Sequence, residues 1–261
     1  METRPDRSRA ERRFDEVLEA LRRERRRTAD ELEALKTFED RIRSIDVGPK
    51  PATGRRILGA AGATGTTGLD RVREAYEATL MSVPHYREEY DDTYVESVAE
   101  EFSPDIAAAV TDGTRFNSRC KRAILSAASK SQTARESLLG VIDREHESVD
   151  ASKDDLLPLI EECADLGSIP FKTLDFGALD AYRTRLGTIR GHCRDLSDRR
   201  QSAIFDQRRL QRIPADVPDV TVYFYQDIDA DYPVMSLVAE LLDSIASIER
   251  AVEEAMTRCR A

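Results

Sequence analysis

Tryptophan is absent from this chain, and aromatic residues make up only 6% of its 261 positions. A core must therefore be built mainly from Leu, Ile, Val and Ala, and such a core suits a bundle of modest thickness. Lysine is scarce as well: of 40 cationic side chains, six are Lys and the others Arg. The four cysteines, Cys120, Cys163, Cys193 and Cys259, lie far apart and form no CxxC pair. They read as reduced, small apolar residues of a cytosolic protein. No stretch approaches the roughly 18 apolar residues of a membrane span. The segment Met1 to Arg7 is charged with no apolar run behind it, so no signal peptide is expected. These absences point to a soluble, cytoplasmic protein.

Charge is what the chain has in abundance. Charged residues are 34% of the sequence against 40% hydrophobic, and the formal net charge is −10 with a pI near 5.0. Long helices with narrow apolar stripes fit this balance, because most of their circumference faces water. A net acidic chain argues against nucleic-acid binding as the default. Dense carboxylates with few lysines also match the style of salt-adapted archaeal proteins.

From about Asp6 to Ile45 the pattern is helical and nearly heptad. Phe14, Leu21, Thr28, Leu35 and Ile42 recur every seventh residue, with Val17, Leu18, Leu32, Phe38 and Ile45 at companion positions. That is a coiled-coil-like seam. Arg22, Arg23, Arg25, Arg26 and Arg27 crowd around Thr28 and weaken it, so packing on the rest of the chain competes with an autonomous coiled coil. Gly48, Pro49 and Pro51 end the helix.

Residues 47–68 read as a linker rich in Gly, Ala and Thr, with Gly59, Gly62, Gly65 and Gly68 at every third position. The expected organisation is an N-terminal coiled-coil-like helix over 1–46, that linker over 47–68, and a helical bundle domain over 69–261. The helical period returns through Val72, Tyr76, Leu80 and Val83 up to Pro84. Tyr86, Tyr90, Tyr94, Val98 and Phe102 then place one apolar residue per turn on one face. Ser103 and Pro104 open a short helix that Gly113 closes.

The longest helix is expected from about Asn117 to Leu166, with Pro158 kinking or splitting it. Another starts after Thr173 and ends before Pro214 and Pro218. Val220 to Tyr225 has strand-like composition but no partner strand, so an extended segment or a helical turn on the bundle is expected. A last helix runs from about Pro233 to Arg258. The fold class is all-α, an antiparallel helical bundle.

No catalytic, cofactor or metal constellation emerges. The Gly59 to Gly68 loop looks like the glycine-rich turn of dinucleotide-binding enzymes, but that turn needs a strand before it and a second strand after the helix. Only Arg55 to Leu58 precedes it, so a flexible linker is the expected role. His85 with Glu88 and Glu89, and the run Glu145-His146-Glu147, read as solvated helix faces. Neither His146 nor His192 follows a Glu by three, as two-iron bundles require. His192 and Cys193 are adjacent, hence about 100° apart on a helix, and form no nucleophile–base pair. Tyr86, Tyr90 and Tyr94 read as core packing with hydroxyls at the rim. Up to Arg27 there are ten Arg against seven acids, the one basic concentration.

Two phrases carry a resemblance: Arg73 to Tyr90 (REAYEATLMSVPHYREEY) and Tyr232 to Leu242 (YPVMSLVAELL). Over roughly 69–261 the chain resembles a family of uncharacterised haloarchaeal helical proteins, known as a domain of unknown function. The resemblance implies an all-helical fold and a salt-adapted cytoplasm, and it brings no activity. The expected function is that of a non-catalytic interaction or scaffold protein, working through a protein partner or self-association, without cofactor. The alternatives are a DNA-associated regulator using the Arg-rich N-terminal helix and, more remotely, a nucleotide-binding enzyme using the Gly59 to Gly68 loop.

Overall fold

The computed structural model describes residues 6–47, 68–210 and 220–259, without the side chains of residues 210, 220 and 221. Every regular element among the described residues is helical, as the stripes require. Gly59, Gly62 and Gly65 of the expected linker, with Pro214 and Pro218, lie outside the described residues. Two compact units emerge: Met1–Glu24 with Val141–Ala261 (unit 1), and Arg25–Gly140 (unit 2). Their boundaries fall inside two long helices.

The first helix, α1 (Arg7–Ser44), begins where the Asp6 carboxylate accepts the backbone N–H groups of Ser8 and Arg9, at 2.9 and 3.3 Å. An acceptor there satisfies donors that the helix itself leaves open. Its seam is buried within the chain: Phe14, Val17, Leu18 and Leu21 in unit 1, then Thr28, Leu32, Leu35, Phe38 and Ile42 in unit 2. Internal packing therefore uses the heptad stripe along both parts of the helix.

Unit 2 continues through α2 (Gly68–Glu77), a 3-10 turn at Leu80–Ser82, α3 (Tyr86–Glu89), α4 (Tyr94–Glu101), α5 (Pro104–Thr111) and the first part of α6 (Ser118–Gly167). The Tyr86 to Phe102 stripe is not one helix. It breaks at Asp91, whose φ of 45° is left-handed, and restarts at a capping box. There Thr93 Oγ1 accepts the Glu96 N–H, and the Glu96 carboxylate accepts the Thr93 N–H. Reciprocal capping of this kind competes well with helix continuation, and Asp tolerates the left-handed turn better than most residues. Tyr86 and Tyr94 are consequently buried, whereas Tyr90 is 47% exposed. Ser103 caps α5 with Pro104 in its first turn, as expected. Phe38, Tyr76 and Phe102 meet one another at centroid distances of 5.5–5.9 Å and anchor the unit's core.

Gly68, the one described glycine of the expected linker motif, has a packing reason to be glycine. A Cβ on it would stand 2.7 Å from Cβ of Phe116.

Unit 1 adds the second part of α6, a 3-10 turn at Phe171–Thr173, α7 (Phe176–Leu210), α8 (Val220–Phe224) and α9 (Pro233–Cys259). Asn117 caps α6, and Asp175 caps α7 through the Ala178 N–H. The helix α6 runs through Pro158 unsplit, contrary to a break there. One missing N–H bond is offset by burial of Leu156, Leu157 and Ile160 around it. Ion pairs show the antiparallel arrangement. Arg7 and Lys153 join α1 to α6 through Glu161 and Asp15. Arg185 and Arg199 join α7 to α6 through Glu162 and Asp155. In each pair of helices, residue numbers fall on one side as they rise on the other. The strand-like Val220 to Tyr225 stretch forms the short helix α8 and its following turn.

Candidate functional site

Unit 2 holds a cleft of about 270 Å³, lined by residues of α1, α2, α4, α6 and the turns around α3. Glu31 from α1 is its hub. One carboxylate oxygen meets Nε2 of His85 at 3.1 Å and accepts the Tyr90 hydroxyl at 3.1 Å. The other accepts Nε of Arg135, also at 3.1 Å. Arg135, reaching from α6, donates through Nη2 to Glu101 Oε2 at 2.7 Å. Burial opposes the charge on Arg135, but Glu101 and Glu31 more than offset it, and its pKa is raised. Burial, reinforced by the Glu31 carboxylate, pushes the Tyr90 phenol above its ordinary range.

Two polar groups in this region are sealed from solvent. Glu101 Oε1 is sealed from solvent and accepts no hydrogen bond. The Tyr86 hydroxyl is also sealed from solvent, on a side chain only 7% exposed. Tyr86 lies outside the cleft's lining, though Ser97, its side-chain hydrogen-bond partner, and Asp92, whose charge it feels, belong to it. The Tyr76 hydroxyl, also in the lining, shares a hydrogen bond with Ser97 at 3.0 Å. Four lining carboxylates, Glu31, Asp92, Glu100 and Glu101, face one lining cation, Arg135. Carboxylate acceptors, a held guanidinium and two tyrosines thus line one cleft.

Unit 1 holds a second polar cluster that is closed. Glu145 on α6 is fully buried and receives both terminal nitrogens of Arg200, at 2.9 and 3.3 Å. Gln207 Nε2 donates to it at 3.0 Å, and the Tyr225 hydroxyl donates to its other oxygen. Arg200 also donates to Ser148 Oγ at 2.7 Å. Burial, with Glu145 next to it, raises the Tyr225 phenol well above its ordinary value. The members neutralise or hydrogen-bond one another, which offsets the cost of burying them, although Arg200 Nε and Gln207 Oε1 keep no hydrogen-bond partner.

These two clusters correct two readings of the sequence. Glu145 is not solvated polarity: it occupies the Leu138, Ile142, Val149 stripe, and its burial shows that the stripe continues through it. His85 is not part of a solvated face with Glu88 and Glu89; it is buried against Glu31, while Glu89 pairs with Arg27. The overlooked signal was the same in both cases, a polar residue standing where the apolar period calls for core. Partners on α1 and α7, 54 and 55 residues away, could not be read from local spacing.

The other sequence-named groups fall as follows. His192 is exposed while Cys193 is buried, so the two diverge as helical geometry demands. Cys163 and Cys193 are free and buried, and burial pushes their thiols to about 12 and 11, away from nucleophilic thiolate character. Cys259 departs from the buried pattern and is exposed. Several N-terminal arginines are spoken for by carboxylates: Arg7 by Glu11 and Glu161, Arg13 by Glu16, Arg22 by Glu19, and Arg27 by Glu89. No helix of the described residues is long and apolar enough to cross a membrane.

The family model of DUF7260, a domain of unknown function, matches residues 12–249. The chain belongs to the DUF7260 family. The match starts within α1, so the N-terminal helix is part of the family domain, which the resemblance over 69–261 had left outside. No curated protein and no solved structure matches the chain.

Proposed function

We propose that this DUF7260 protein is a non-catalytic helical interaction protein that recognises a polar group of its partner in the Glu31–Glu101 cleft. The observation carrying this reading is the cleft's preorganisation. Glu31, His85, Tyr90, Arg135 and Glu101 are held in one hydrogen-bonded chain beside open space. Prepaid ordering of this kind is what a recognition site needs. The buried, strongly raised thiols of Cys163 and Cys193 support a non-catalytic role. The carboxylate-rich, lysine-poor composition supports a haloarchaeal cytoplasm as its setting.

The test uses the full, isotope-labelled chain at fixed ionic strength and four probes: 1,4-diaminobutane, acetate, inorganic phosphate and glucose. At least one of them shifts the backbone amides of Ser97 and Glu101 saturably. If none does so at about 10 mM, where even a millimolar site is largely filled, the cleft is not a recognition site.

One observation favours a second reading, self-association through unit 1. Phe205 on α7 is 64% exposed, the largest value among the exposed large apolar side chains of the described residues, and burying that ring against a second copy would remove apolar area from water. Light scattering behind size exclusion in high salt tests it. A clean monomer at micromolar concentration, unchanged by Phe205→Ser, removes the reading.

A further inference from the structure

The seams of unit 1 are close to self-similar. On α6, Ile142, Val149, Leu156 and Cys163 recur every seventh residue, and all four are fully buried. On α9, Val234, Leu241, Ile248 and Ala255 follow the same spacing in the core, as do Val238, Ile245 and Val252. The buried series on α7 is Leu179, Leu186, Cys193, Arg200 and Gln207. An apolar heptad offers its neighbour much the same surface after a slip of seven residues, about 10.5 Å along the axis. The connection over residues 168–175 reaches about 26 Å when extended, more than such a slip needs. Apolar burial alone therefore selects the register of these helices weakly.

Two members of the α7 series are polar, and both meet one carboxylate. Arg200 donates to Glu145 through both terminal nitrogens, and Gln207 donates through Nε2. Sliding α7 by one heptad brings either Gln207 or Cys193 to the level that Arg200 occupies. Either slip carries Arg200 a full heptad from Glu145 and leaves both charges in the seam without each other. Parting a buried pair is costly, because water reaches neither ion. The ion pairs Arg185–Glu162, Arg190–Glu249 and Arg199–Asp155 also involve these helices, but their side chains are 23–61% exposed. Water can hydrate them after a slip, so they discriminate less.

We propose that the Glu145–Arg200 pair selects the register of α7 against α6, by penalising the one-heptad slips that the apolar seams tolerate. A single polar seam position does this in coiled coils, at a cost in stability. Uniqueness and stability are then separable. An apolar pair in place of Glu145 and Arg200 keeps the second and loses the first.

Amide and methyl NMR on the full, isotope-labelled chain tests this. Glu145→Leu with Arg200→Met is expected to keep wild-type helicity by circular dichroism and most of the wild-type urea midpoint. Its α6 and α7 resonances in unit 1 should nevertheless split, with a second set at about a tenth of the intensity or more. That second set should show α6–α7 methyl contacts displaced by seven residues. Should the apolar pair fail to fold, Glu145→Gln decides, since it keeps the volume while Arg200 loses its counter-charge in the native register. A single set of resonances in whichever variant folds, or a second set with wild-type contacts, overturns the proposal. Failure of both variants to fold overturns it as well, because the pair then supports stability itself and not the choice among registers.

Discussion

In unit 1, Glu145 meets Arg200, Gln207 and Tyr225 in full burial; in unit 2, Glu31 and Glu101 meet Arg135 and Tyr90 beside an open cleft. Carboxylate, guanidinium and phenol appear in both places. Where the group is sealed, desolvation makes every partner indispensable, and the cluster fastens α6, α7 and the turn after α8 together. Where it borders space, water competes for the same atoms, and the network is held less tightly. Burial, more than residue type, separates a structural lock from a network open to solvent.

The sharpest way to break the comparison is to strand a charge in the sealed cluster. Glu145→Ala leaves Arg200 buried without its counter-ion and is expected to cost about 3–5 kcal/mol, read as a loss of urea midpoint. Replacing both at once, Glu145→Leu with Arg200→Met, is expected to recover most of that loss, because an apolar pair of similar volume has no desolvation to repay. A double variant as unstable as the single one would show that packing, and not the stranded charge, dominates. Tyr225→Phe removes one hydrogen bond to the same carboxylate, with an expected loss of about 1–3 kcal/mol.

The open cluster should respond less. Arg135→Met frees Glu31 and Glu101 to be hydrated at the cleft, so denaturation should register a smaller loss than for Glu145→Ala, about 1–2 kcal/mol after solvent screening. A loss equal to that of Glu145→Ala would mean that the cleft is as closed to water as the cluster in unit 1. Thr93→Ala removes the cap that separates α3 from α4 and is expected to cost about 1 kcal/mol, with a changed environment for Tyr90 seen in its ring resonances.

Much of the helical frame was legible from local patterns, and its hubs were not. The α1 seam, the Ser103–Pro104 start and the Asn117 boundary follow from spacing and capping chemistry that act within one or two turns. The Thr93–Glu96 capping box was equally local, yet the apolar period through Tyr90 masked it. Glu31, Glu101, Arg135 and Arg200 look like ordinary surface charges in a chain that is 34% charged. Their roles depend on partners brought from distant elements, which periodicity does not encode. A tighter rule would treat each charged residue at a seam position, such as Glu145 between Ile142 and Val149, as a buried half-pair in search of its other half.

Alkaline titration probes the comparison most gently. Burial, as the leading cause, raises the phenols of Tyr76, Tyr86, Tyr90 and Tyr94 in unit 2, the last to about 12, and that of Tyr225 in unit 1. A group raised in the folded state lends its full stability below its unfolded value, and loses it as pH climbs toward the folded one. With an unfolded phenol near 10, both units should hold constant tyrosine-linked stability up to about pH 10 and weaken above it. Phenolate absorbance at alkaline pH reads this directly: the buried phenols should ionise late and together with unfolding. Tyr225→Phe should remove that residue's contribution to the slope while leaving the contribution of the unit 2 tyrosines. If Tyr90, the exposed ring at the cleft, ionises with the buried set, then Glu31 and burial of its hydroxyl outweigh the exposure of its ring. If it ionises ahead of them, water reaches the cleft hydrogen bonds freely, as the contrast with the Glu145 cluster requires.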